Sequence, residues 1–188
     1  PEVTDAAIAA LRKEIGHLLQ EGQLYNLRLL RIDEKLVFDA DLPFENGRRR
    51  KYTLDELYEN IKLLHAEILT FYSGIQIIAL NETEAKDLER LIYASRNMMN
   101  AIKNFKGVRH NMEEFDGSDN PYLNIQYKLF RKRIVELYLT MGRILGMDSK
   151  EDQYRSLLTA FIQIEEADNL FINNTMEAVA GKKIQEME

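Results

Sequence analysis

The chain has 188 residues, the size of one ordinary domain, and carries 25 Lys plus Arg against 31 Asp plus Glu, a net charge of −6. It has no cysteine, which removes disulfides, zinc ribbons, iron–sulfur clusters and thiol nucleophiles together; the acidic balance argues against a nucleic-acid partner. With 9 Gly and 3 Pro in a chain that is 45% hydrophobic and 30% charged, the composition suits long unbroken elements.

Apolar residues recur at alternating steps of three and four along five segments, the period of one helical face. The first seam is Ile8, Leu11, Ile15, Leu18, Gly22, Tyr25, Leu29 and Ile32, with Thr4 or Asp5 as the expected N-cap and the helix expected to run on toward Phe38. A long connection of about 39–52 follows, in which Leu42 and Phe44 are expected to pin the chain to the bundle. The second segment opens on Thr53-Leu54-Asp55-Glu56, a capping box, and continues Leu57, Ile61, Leu64, Ile68, Phe71, Ile75, Ile78. The third follows Asn81-Glu82-Thr83-Glu84, with acids where the helix dipole favours them, and reads Leu88, Leu91, Ser95, Met98, Ile102, Phe105, Arg109, Met112. The fourth starts at Asn120-Pro121, a cap followed by proline in the first turn. It takes Leu123, Tyr127, Phe130, Ile134, Leu137, Met141 and Ile144, and stops near Gly146. The fifth starts near Asp148-Ser149 and reads Tyr154, Leu157, Phe161, Ile164, Asp168, Phe171. Short connections make neighbours antiparallel. The expected fold is therefore all-α, a single domain over 1–188 built as an elongated up-and-down bundle of about five long helices.

Membrane and export signals are missing from this stretch. No segment approaches the ~18 apolar residues of a membrane-spanning helix, and Pro1–Asp5 is polar and acidic where a signal peptide is basic. Leu63, Leu69 and Ile77 lie off the second seam, so that helix is expected to be covered on two sides, within the bundle or in a homodimer.

Seam interruptions are informative because a buried polar group needs a partner. The third segment carries Asn97, Asn100 and Asn104 on one stripe and Lys103, Lys106 and His110 on its neighbour, with Arg109 on the seam. The fifth offers Asp168, flanked by Glu165 and Glu166. Two readings stand. One is a solvated polar face with an interhelical contact of Asp168 with Arg109 or Lys106. The other is an anion site lined by Lys103, Lys106, Arg109 and His110. Further cations cluster at Arg48, Arg49, Arg50 and Lys51 and over Lys128–Arg133. These are solvated charge runs or contacts for anionic lipid headgroups.

Catalytic patterns are sparse. Glu14-x-x-His17 is one half of a di-iron carboxylate motif, but no second Glu-x-x-His occurs. No nucleophile elbow or phosphate-cradling glycine loop is present. The reading is no enzyme, no cofactor and no metal, with a ferritin-like metal-binding bundle using Glu14 and His17 as the alternative.

The stretch Leu64 to Phe115, in particular Tyr93-Ala94-Ser95-Arg96-Asn97 and Lys103 through Glu114, is similar to the PhoU-like domain at the C-terminus of bacterial sodium/phosphate cotransporters. Ala10 to Ile15 resembles the segment that follows the last membrane helix of those proteins, in keeping with a domain separated from a longer chain. The resemblance implies a non-catalytic helical bundle on the cytoplasmic side of the membrane that regulates phosphate transport, with the transmembrane portion as partner. A stand-alone adaptor of phosphate signalling is the variant without a membrane part. The acidic motifs with which PhoU proteins hold metal clusters are not reproduced: Lys103, Lys106, Arg109 and His110 stand where acids are needed.

Overall fold

A computed structural model of the chain describes residues 2–38, 52–77 and 79–182. Among them there are helices and no strands: α1 Glu2–Leu29, a 3-10 turn Glu34–Leu36, α2 Leu54–Ile75, α3 Glu82–Gly107, α4 Arg109–Asp116, α5 Pro121–Leu145 and α6 Lys150–Ala180. They fall into two compact units that divide between Arg109 and His110. Leu42, Phe44 and the Arg48–Lys51 run lie outside the described residues.

The first unit is a three-helix bundle with α1 as its spine, packed along both α2 and α3. All eight positions of the first seam are buried, and Leu11, Leu18, Leu27 and Leu30 have no accessible surface. Each such side chain contributes about 1.5–3 kcal/mol by leaving water. Buried residues on α2 are Leu57, Tyr58, Ile61, Ile68 and Ile75; on α3 they are Leu88, Ile92, Ser95, Met99 and Ile102. The α3 seam therefore lies one residue on from the expected Leu91 and Met98. Both positions sit in apolar doublets, Leu91-Ile92 and Met98-Met99, and packing on α1 chose the second member. Helix α1 comes close to α3 at Gly22, where a Cβ would lie 2.6 Å from Ile102 Cδ1. Ser95, fully buried on the same face of α3, hands its hydroxyl to the Ile92 carbonyl at 2.8 Å.

Helix ends follow their caps. Thr53 Oγ1 accepts from Glu56 N at 3.2 Å while Glu56 Oε2 accepts from Thr53 N at 2.7 Å, and Asn81 and Glu84 repeat the exchange at 2.9 and 2.8 Å. Asn120 caps α5 and Ser149 caps α6. Three expectations need correction. Neither Thr4 nor Asp5 caps α1, which begins at Glu2 and holds Thr4 inside it, buried. Nor does α1 reach Phe38, because Arg31 adopts φ 54 and closes the helix. Ile32 N donates to Leu27 O at 2.8 Å and Arg31 N to Arg28 O at 3.0 Å, the paired bonds of a Schellman motif with Arg31 in the place glycine usually takes. The third segment is two helices: it breaks at Gly107, where Val108 N turns to the carbonyls of Asn104 and Phe105 at 3.2 and 3.3 Å, making six α-helices among the described residues.

In the second unit α5 and α6 form an antiparallel pair, with Tyr122 Oη donating to Asn174 O at 3.1 Å. Here the core is thin. Tyr127, Ile134 and Tyr138 are buried on α5, and Ala178 alone on α6. No helix among the described residues is long and apolar enough to cross a membrane.

Candidate functional site

Two regions hold chemistry beyond packing. The first lies where α2 and α3 run antiparallel, so that Asp55 meets Arg109 at the start of α4, Tyr58 meets Lys106 of α3, and His65 feels Lys103 and Arg96 of α3. Arg109 Nη1 reaches Asp55 Oδ1 at 3.3 Å, a pair in which Asp55 is largely exposed and which contributes at most about 1 kcal/mol. Lys106 Nζ stands 4.0 Å over the Tyr58 ring, with Lys62 Nζ 5.4 Å from it. Tyr58 in turn packs on buried Tyr25, ring centroids 5.8 Å apart. Burial raises the Tyr25 phenol above its usual range; Arg109 opposes that shift, and Asp55 and Tyr58 add to it. His65 is pushed the other way: burial lowers it first, then the charges of Lys103 and Arg96. Its buried Nε2 has no hydrogen-bond partner.

The structure thus redistributes the four predicted anion ligands. Lys103, Lys106 and Arg109 belong to the first unit, and His110 begins the second. Lys106 and Arg109 are engaged by Tyr58 and Asp55, and His110 Nε2 pairs with Glu114 Oε1 at 3.1 Å. A carboxylate that faces Arg109 is Asp55, on α2. Asp168 lines a groove in the second unit. The half-buried Glu14 and His17 pair with each other at 3.2 Å, and no group of three potential metal ligands occurs among the described residues. Leu63 and Ile77, expected to be covered within the bundle or in a homodimer, are exposed on the single chain, so the bundle does not cover them.

The groove is the second region. It runs between α5 and α6 with a volume of about 860 Å³, lined by Leu123, Phe130 and Leu137 of α5, by Ile164 and Phe171 of α6, and by Met112 and Phe115 of α4. Arg133, Glu136 and Asp168 stand on it as charged groups. An apolar trough with a few polar groups is what an amphipathic helix or a small apolar ligand needs. Sequence spacing placed Leu137 and Ile164 on facing seams but gave no sign that the seams stay apart. Tyr58, Asp55 and His65 were missed because they lie beside the α2 seam; the aromatic–cation spacing of Tyr58 and Lys62 was the available signal.

No family model, curated protein or solved structure matches the chain.

Proposed function

We propose that this chain is a non-catalytic, PhoU-like regulatory domain on the cytoplasmic side of a sodium-dependent phosphate transporter, acting by helix–helix contact. The observation that carries the contact is the open apolar groove between α5 and α6, the kind of trough into which an amphipathic helix of the membrane portion would lay its apolar face. The resemblance of Tyr93–Asn97 and Lys103–Glu114 to the cotransporter domain supplies the partner. The test is uptake of labelled phosphate by cells expressing the whole coding region, with and without sodium. Leu137→Asp or Ile164→Asp, each placing a charge in the groove, should change sodium-dependent uptake several-fold at unchanged protein level. Uptake untouched by both, or no sodium-dependent uptake at all, overturns the reading. A coding region without hydrophobic spans upstream would favour the stand-alone adaptor, and stoichiometric iron or manganese in purified protein the ferritin-like alternative at Glu14 and His17.

Anion sensing is the second reading, favoured by two cationic side chains, Lys103 and Arg96, near enough to His65 to add to the lowering that burial begins. Titration of the chain with inorganic phosphate should release heat that Lys103→Glu abolishes. No heat from the unaltered chain removes it.

A further inference from the structure

We propose that two copies of this chain pair through α6, running antiparallel and crossing near Ala160. The inference does not depend on the transporter reading and uses a different surface from the groove.

A helix on the outside of a bundle needs one apolar face, and a second one is covered in the working form. The α6 helix has two. Ala160, Ile164, Ala167 and Phe171 line the groove toward α5. On the other flank lie Tyr154, Leu158, Phe161, Ile162, Ile172 and Met176, none of which lines it, with Glu165 and Asn169 set among them at the middle of the stripe. The first six are exposed by 62, 46, 64, 56, 46 and 66% respectively. At these exposures the six residues present roughly 750 Å² of mostly apolar surface per copy, comparable with the about 800 Å² per partner that a stable interface buries. A second copy supplies a matching face by symmetry, since an isologous contact is the same patch on both sides.

Charge sets the direction. A parallel pair would stack Glu165, Glu166 and Asp168 against the same residues of the other copy, whereas an antiparallel pair centred near Ala160 sets Arg155 of each chain opposite Glu165 of the other. Arg155 already holds Glu151 within its own helix, so it would bridge two carboxylates. In that register Leu158 meets Ile162 of the second copy and Phe161 lies near the two-fold axis. Ile172 and Met176 reach the turn between α5 and α6, where Leu145 is itself exposed.

Because the chain has no cysteine, a single introduced one reports the register. Light scattering on the unaltered chain at tens of micromolar should give twice the 22.0 kDa chain mass. Phe161→Glu, at an exposed position that leaves the helical circular dichroism intact, should weaken association at least tenfold. Arg155→Glu should weaken it and the double change Arg155→Glu/Glu165→Arg should restore it. On mild oxidation Phe161→Cys should cross-link to a dimer and Tyr154→Cys should not. A monomer at 22.0 kDa, a dimer indifferent to Phe161→Glu, or efficient cross-linking through Tyr154→Cys instead would each overturn the proposal.

Discussion

Helices α1 and α6 carry the same kind of sequence and meet opposite fates. Each repeats apolar residues at steps of three and four, over about seven turns in α1 and about five in α6. Every seam residue of α1 is buried, and every one of the positions Tyr154, Leu157, Phe161, Ile164, Asp168 and Phe171 on α6 is exposed. The difference is the number of neighbours: α1 lies along both α2 and α3, while within its own unit α6 has α5 beside it, at a groove's distance. Periodicity tells which side of a helix is apolar; it says nothing of whether this chain supplies the cover.

The comparison breaks most readily in the core. Leu18→Ala removes a side chain with no accessible surface and should cost about 2–5 kcal/mol in urea unfolding. Leu170→Ala on the exposed face of α6 should stay within about 0.5 kcal/mol. Equal losses would mean that α6 is packed as tightly as α1. A smaller effect is expected at the close approach of α1 to α3. Gly22→Ala should cost about 1–3 kcal/mol by pressing on Ile102, net of a helix-propensity gain of about 1 kcal/mol. Ile102→Val in the same chain should recover most of it.

A milder effect follows pH. The folded-state pKa of His65 lies below its unfolded value of 6.5, so the unfolded chain takes up the proton first. Its contribution to stability is full above that value and declines as pH falls below it. His65→Leu should flatten the urea midpoint against pH on the acid side of 6.5, and a wild-type slope left intact would assign the loss to other groups. The smallest change is at the end of α1. Arg31→Gly relieves a left-handed backbone at φ 54 and should raise stability by up to about 1 kcal/mol.

Local chemistry was legible where a few adjacent residues decide it. Thr53 with Glu56, Asn81 with Glu84 and Asn120 with Pro121 each set a helix start that the structure keeps. The end of α1 was not, because Ile32 continues the apolar spacing while the chain has already turned at Arg31; Ile32 is buried as the residue that closes the motif. The basic stripe of α3 was legible as a stripe, but its partners are not neighbours in sequence: Asp55 and Tyr58 come to Arg109 and Lys106 only once α2 folds back along α3. The groove was the least accessible feature, since the distance between two matched seams is a property of their packing and not of either seam.

Amide hydrogen exchange followed by mass spectrometry, at dilute and at high protein concentration, tests most directly whether α6 awaits a cover from outside the chain. Slow exchange in α1 at both concentrations is expected, with α6 opening readily in dilute solution and slowing as concentration rises. An α6 as protected as α1 in a dilute monomer would contradict it.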